Sequence, residues 1–320
     1  MEERLRPINA LLGLLLPADV SSPALADAGF QLAGLEVPAA GSGGSVTVDA
    51  VLVHAETSHL MVVEAKAGAN VEERQARAYS GLKAADVVQS AYVTLTARSS
   101  PTIEVVYLCL SEHLDRIRLG LEQVGLSMPI IAVSGDAVRL ELADIAGPQL
   151  RSAFIDGQVD LHGAVPRLIP FDQDSDPEII RPRVLAALVA AMAQRLDQLS
   201  LPSLAERATP HYALYGRQAQ QRIRRKVADA ASRLAADDPM SFQVVPNNNK
   251  RDGLVRILRT PEDNDARGRT QAYQAVGRPT ASRKKRRKPE IPGQLDLLSM
   301  LETSDNDGTE EPVAGQEGER

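Results

Sequence analysis

Two apolar segments separated by three polar residues constrain this chain more than any other feature. VTVDAVLVHA (46–55) and HLMVVEAKAG (59–68) are rich in β-branched and aliphatic side chains. The turn Glu56-Thr57-Ser58 joins them, and the pattern predicts a hairpin of buried strands. Each strand carries charge where an apolar strand should not: Asp49 in the first, Glu64 and Lys66 at the end of the second. Burying such groups is costly unless they are paired or hold a cation. In a hairpin of this register Asp49 and Glu64 lie near each other across the pair.

The flanking sequence supplies the rest of a sheet. Phe30–Val37 reads as a preceding strand, followed by a flexible GSGGS turn. Val71–Leu95 predicts a helix, Ile103–Leu110 a buried strand, SEHLDRIRLGLEQVG a Ser-capped helix and PIIAVSGD a further short strand. With an amphipathic helix over Arg4–Leu16 in front, the order α-β-β-β-α-β-α-β describes a mixed α/β sheet flanked by helices. Trp is absent and aromatics make up 3%, so the core must be aliphatic. The single cysteine, Cys109, excludes an internal disulfide framework, and its setting VVYLCLS assigns it to packing.

The N-terminal run NALLGLLLPADVSSPALADA mimics a secretion signal, but MEERLR carries two acids against two bases and lacks the positive leader region. No run approaches the roughly 20 apolar residues of a membrane span. The expectation is a soluble, cytoplasmic protein without a membrane partner. The Ala/Arg/Asp-rich, Lys-poor composition reads as that of a high-GC bacterium, and places the protein with the nucleoid.

Charge divides the chain. Residues 1–179 carry 12 basic and 24 acidic side chains, net −12; residues 180–260 carry 14 and 6, net +8; residues 261–320 carry 10 and 12, net −2. The predicted organisation is a first domain over 1–168, a Pro- and Asp-containing linker over 169–179, a basic module over 180–260 and a disordered tail over 261–320. A basic module of this kind suits a polyanion. It reads as an Ala/Leu-rich helix over Arg183–Leu199, a short helix and turn over Ser203–Gly216, an amphipathic helix over Arg217–Ala236, and a hairpin of FQVV and LVRILR about the turn PNNNKRDG. The stripe Ile223, Val227, Ala230, Leu234 marks the buried side of the long helix. Three helices and a hairpin make a winged helix-turn-helix arrangement.

The chemistry centres on the hairpin. Two close carboxylates repel unless a cation sits between them. Mg²⁺ prefers oxygen ligands and keeps several waters, so Asp49, Glu64 and the Ala65 carbonyl are candidate ligands for Mg²⁺ or Mn²⁺. Such an ion lowers the pKa of bound water, and Lys66 is placed to stabilise developing negative charge. In the following helix Gln75 and Tyr79, four apart, project from one face.

Asp49, Glu64-Ala65-Lys66 and the Gln75/Tyr79 pair resemble the PD-(D/E)XK nuclease superfamily, and the Q-x-x-x-Y helix is similar to its RecB-type and λ-exonuclease-type branch, over roughly residues 1–135. The resemblance implies a restriction-endonuclease-like core, Asp49 and Glu64 as metal ligands, Lys66 as the catalytic lysine, and Gln75 and Tyr79 facing the active site and the DNA strand. Val48 stands where many members have proline. The acid often found on the first helix has no clear counterpart; Glu3 and Glu36 are the candidates, and without either the site holds one ion. The competing reading is a salt-bridged cluster on a sheet edge. His54 and His59 flank the hairpin turn and read as exposed turn residues.

In the winged-helix reading the exposed face of the long helix presents Gln218, Gln221, Arg222, Arg224 and Arg225 to DNA, and Lys250 and Arg251 lie at the wing tip. An ordinary solvated basic helix, or a winged helix used for protein contacts, is the alternative. The run Arg283, Lys284, Lys285, Arg286, Arg287 and Lys288 attracts any phosphate polymer. In the tail, Gln294, Leu295, Asp296, Leu297 and Leu298 resemble the bacterial sliding-clamp-binding peptide, which implies the clamp as a partner; a terminal helix folded back on the core is the alternative. The expected function is a Mg²⁺-dependent DNA nuclease of restriction, defence, repair or replication, acting as a homo-oligomer or with an operon-encoded partner. The alternatives are a catalytically silent nuclease-fold DNA-binding or regulatory protein, and a clamp-bound adaptor. There is no G-x-x-x-x-G-K-[ST] signature, so nucleotide hydrolysis would fall to a partner.

Overall fold

The structure, a computed structural model, describes residues 2–16, 22–54, 56–91, 93, 95, 100–246 and 253–258. These fall within one compact unit, Met1–Arg278. Lys250 and Arg251, the basic run Arg283–Lys288 and the peptide Gln294–Leu298 lie outside the described residues.

Among the described residues the first part of the chain is a mixed α/β fold on a seven-stranded sheet. A 3-10 turn at Glu3–Leu5 leads into α1 (Arg6–Gly13), and α2 (Ala24–Asp27) follows. β1 (Phe30–Gly41), β2 (Gly44–His54) and β3 (His59–Lys66) form an antiparallel meander. Next come α3 (Glu73–Ser80), α4 (Ala84–Ala91) and β4 (Thr102–Leu110), which runs parallel to β3. The crossover through α5 (Leu114–Gln123) returns as β5 (Ile130–Val133), parallel to β4. β6 (Ala137–Glu141), α6 (Pro148–Ala153) and β7 (Gln158–Asp160) extend the sheet antiparallel, so its strands lie in sequence order.

Alternation along β3 assigns its two faces. Met61 and Val63 join Ala50, Leu52 and the α1 leucines in one core. Leu60 and Val62 join Val51, Tyr79 and Val87 of α3 and α4 in another. α5 adds Ile117 and Leu121 beneath Tyr107 and Cys109. Cys109 is fully buried, and that burial pushes its thiol up to about 12, as a packing role requires.

The single helix expected over 71–95 is two. It breaks at Gly81, whose carbonyl accepts the Ser42 N–H at 3.2 Å. The β1–β2 turn presses so closely here that a Cβ on Gly81 would lie 2.7 Å from the Gly43 nitrogen. Backbone against backbone leaves no room for a continuous helix with side chains. The helix expected over 4–16 is shorter and buried on every side: Pro7 through Gly13 are all inaccessible. Even its polar Asn9 is enclosed, donating to the Leu5 and Ile169 carbonyls at 2.8 and 2.9 Å and accepting the Ile169 N–H at 2.6 Å.

The rest of the described chain comprises α7 (Pro177–Ala193), β8 (Gln198–Ser200), α8 (Leu201–Ala208), α9 (Arg217–Asp237), β9 (Phe242–Val245) and β10 (Leu254–Ile257). α7 begins six residues before the expected position, because Asp176 caps it by accepting the Glu178 N–H at 2.8 Å and Pro177 suits the first turn. The second sheet has the order β8-β10-β9. Ile223, Val227, Ala230 and Leu234 of α9 are fully buried, as their spacing predicts. They share the core that contains α1. The 169–175 segment packs as tightly as a strand: Ile169, Phe171, Asp172 and Ser175 are all buried. No helix among the described residues is long and apolar enough to cross a membrane.

Candidate active site

The site arises where two strands change face. Leu35 and Val37 are two apart, yet Leu35 packs in the α1 core and Val37 in the α3/α4 core. Val48 and Ala50 divide in the same way. Regular alternation would put each pair on one side. Glu36 makes the switch in β1 with φ of 49°, a left-handed conformation that costs a non-glycine residue energy and recurs at functional sites. Asp49 occupies the matching place in β2, one residue beyond the last β2–β3 pair, Ala50↔Val63. Past that point β2 leaves β3, and a cleft opens. Its lining includes Glu36, Asp49, Ala65, Asp172, Tyr215 and Arg4.

Glu64 lies beneath the cleft, 4% exposed, and its carboxylate is taken up by donors. Oε1 pairs with Lys66 Nζ at 2.8 Å and accepts from Gln75 Nε2 at 2.8 Å, and Oε2 accepts from the Tyr79 hydroxyl. Lys66 Nζ also donates to Gln75 Oε1 at 2.6 Å. The Tyr79 hydroxyl faces the Thr47 carbonyl at 2.9 Å as well. The helical spacing of Gln75 and Tyr79 is what brings both to Glu64. Burial, and then the Glu64 and Asp49 charges, push the Tyr79 phenol far above its ordinary range, so it is a fixed donor at neutral pH. Lys66 donates to Gln75 and pairs electrostatically with Glu64.

Asp49 is held differently. Its Oδ2 accepts the Ala65 N–H at 2.5 Å, and among the described residues no cation pairs with it directly. Burial pushes its carboxyl well above the usual range. The Glu64 and Glu36 charges add to the shift; the Ala65 N–H and Lys66 oppose it. Glu36 is pushed up to about 7, chiefly by burial and then by Asp172, Asp174 and Glu64, with Arg4 opposing. Four acids, Glu36, Asp49, Asp172 and Asp174, and one base, Arg4, line the cleft.

Its walls come from residues that the spacing did not single out. Arg4 donates to both oxygens of Asp172, at 2.6 Å to Oδ1, and to Ser175 Oγ at 3.1 Å. Asp172 Oδ1 also accepts the N–H groups of Asp174 and Ser175, at 2.8 and 3.0 Å, closing a tight polar turn. The Tyr215 hydroxyl is buried beside Glu36 and Asp172 without a hydrogen-bond partner. The run FDQDSD and the acid-acid-base start of the chain, Glu2-Glu3-Arg4, carried the signal for these walls. Of the two candidates for the additional acid, Glu36 lines the cleft and Glu3 is exposed away from it.

Gln218, Gln221, Arg222 and Arg225 are exposed on α9. Arg224 is half-buried instead, donating to the Tyr212 hydroxyl at 2.5 Å across that ring. His54 and His59, expected at the surface, are 8% and 6% exposed because Phe30 packs edge-on against both. His59 bonds Thr102 Oγ1 at 2.9 Å.

Among the described residues no three His, Cys, Asp or Glu side chains form a ready-made metal cage. Two open carboxylates and an unpartnered hydroxyl, with neither thiol nor imidazole beside them, fit a hard cation that keeps most of its water; they do not fit zinc. Compared with known proteins, the chain matches no family model, no curated protein and no solved structure.

Proposed function

We propose that the chain is a divalent-metal-dependent DNA nuclease of the PD-(D/E)XK type. The observation that carries this reading is the cleft itself: Glu36 and Asp49, their carboxyls pushed up chiefly by burial, line it with Asp172, Asp174 and the base Arg4, and Lys66 pairs with Glu64 on the strand that contributes Ala65. Asp49 and Glu36 would hold the metal, Glu64 adds charge directly behind them, and Ala65 lines the approach. When bound, Mg²⁺ or Mn²⁺ supplies an acidified water and charge neutralisation at phosphate.

The chain's own groups do the rest. Glu64 and Gln75 fix the Lys66 ammonium, which would stabilise negative charge developing on the phosphodiester. Tyr79 and Gln75 hold Glu64 in one orientation, which keeps Lys66 in place. The order α7-β8-α8-α9-β9-β10, with β10 central, supports a winged helix presenting Gln218, Gln221, Arg222 and Arg225 to DNA. The basic run Arg283–Lys288 would add nonspecific attachment, and Gln294–Leu298 recruitment to a sliding clamp.

The test is incubation of supercoiled and linear DNA with Mg²⁺ or Mn²⁺. The wild type is expected to cleave, and Lys66→Met to lose about 10²- to 10³-fold in rate. A second reading, a silent nuclease fold that binds DNA, is favoured by one observation: the donors around Glu64 leave its carboxylate no open direction. DNA retention without metal-dependent cleavage by the wild type would establish it.

A further inference from the structure

The turn that walls the cleft is also the landing point of the basic helix. Gln173, 9% exposed, donates from Nε2 to Glu36 Oε2 at 3.1 Å. Its Oε1 accepts from Arg222 Nη1 at 3.2 Å. One turn along α9, Lys226 Nζ donates to the Ser175 carbonyl at 3.0 Å. An amide that accepts from a guanidinium and donates to a carboxylate links the surface of α9 to the interior of the cleft in two hydrogen bonds.

The backbone around this link is fixed. Tyr215 bridges Leu35 in parallel, and the Gly216 N–H donates to the Leu35 carbonyl at 2.8 Å. A Cβ on Gly216 would stand 2.3 Å from the Glu36 carbonyl oxygen, so the start of α9 is wedged against the strand that carries Glu36. Backbone lies directly against backbone where α9 begins beside β1. Whatever passes between the two must pass through side chains. Arg222 is exposed on one side of the link, and Glu36 lines the cleft on the other.

We propose that Gln173 is a positioning residue that couples duplex DNA on α9 to divalent-cation binding in the cleft. This rests on the nuclease reading above. A phosphate that takes Arg222 draws the guanidinium off Gln173 Oε1. Gln173 is then free to turn away, and Glu36 offers both oxygens to the cation. The same exchange run backwards means that a cation on Glu36 frees Arg222 for phosphate. Coupling of this kind is reciprocal and favourable in both directions. It arms the site only where DNA is present.

The experiment measures the affinity of a labelled DNA duplex by fluorescence anisotropy, in EDTA and in Ca²⁺, for the full chain. In the wild type Ca²⁺ is expected to tighten binding about tenfold. Gln173→Met keeps the side-chain length and removes both hydrogen bonds; its Ca²⁺ effect is expected to fall to about twofold or less, the residue of simple charge neutralisation. Arg222→Ala, at an exposed position, breaks the link from the other end. It should bind DNA more weakly and show the same small Ca²⁺ effect. An undiminished Ca²⁺ effect in Gln173→Met or Arg222→Ala overturns the proposal. So does a wild type that binds and cleaves DNA with no Ca²⁺ effect, and in that case the nuclease reading survives alone. A wild type that neither binds nor cleaves the duplex removes both.

Discussion

Glu64 and Asp49 are carboxylates on adjacent strands, yet the protein treats them in opposite ways. Glu64 is buried under Lys66, Gln75 and Tyr79. Asp49 receives one backbone N–H, and its neighbours in the cleft are other acids. The first arrangement is structural: charge is matched, donors are matched, and breaking it exposes a buried ion. The second is unmatched among the described residues, and the proposed cation would supply its counter-charge. Depth in the sheet alone does not separate the two roles; the supply of donors does.

Variants break this comparison in order of effect. Glu64→Leu removes the carboxylate that pairs with the Lys66 ammonium and accepts from Gln75 and Tyr79, and is expected to cost about 3–5 kcal/mol in urea unfolding. A cost near zero would mean that the network is not formed in solution. Next comes pH. Glu36 is held near 7 in the fold, above its value in the unfolded chain, so the folded state binds the proton more tightly. Its contribution is therefore fully present below about pH 4.5 and is lost as pH rises toward 7, a decline of about 3 kcal/mol in the metal-free protein. Glu36→Gln should flatten that part of the stability profile. Saturating Mg²⁺ should restore stability at pH 8 in the wild type more than in Glu36→Gln.

Asp49→Asn should act in the opposite sense to Glu64→Leu. The amide oxygen still accepts the Ala65 N–H, and the unneutralised charge is gone, so the metal-free protein should gain about 1–2 kcal/mol while losing metal-dependent cleavage. A loss of stability would show that the Asp49 charge is already compensated. The smallest expected effect lies outside the cleft. Arg77 and Glu73 pair at 2.9 Å on α3 but are both largely exposed, and Arg77→Ala should change stability by about 0.5 kcal/mol or less.

Much of this was legible from residue patterns, for identifiable reasons. Apolar, β-branched runs about a polar turn placed β2 and β3, and a four-residue spacing placed Gln75 and Tyr79 on the face that meets Glu64. The apolar stripe of α9 reads directly as its buried side. Local backbone rules did not reach further. Nothing near residue 81 announces that the β1–β2 turn lies against it and divides the helix. His54 and His59 resembled turn residues because Phe30, which covers them, is more than twenty positions away. The Arg4–Asp172 pair spans 168 residues, and no spacing rule connects its partners.

The amino-acid sequence by itself determined which polar side chains meet on the sheet, because strand and helix spacings act over a few residues and bring Asp49, Glu64, Lys66, Gln75 and Tyr79 into one neighbourhood. Only the tertiary structure decided which carboxylates are satisfied and which stay open. That division depends on donors and charges delivered from distant segments: Glu36 at the bend of β1, Arg4 from the first turn, and Gln173 with Arg222 from the turn and helix that close the cleft. Solvation and Coulomb energies depend on distance in space, and in this fold the deciding neighbours are remote in sequence.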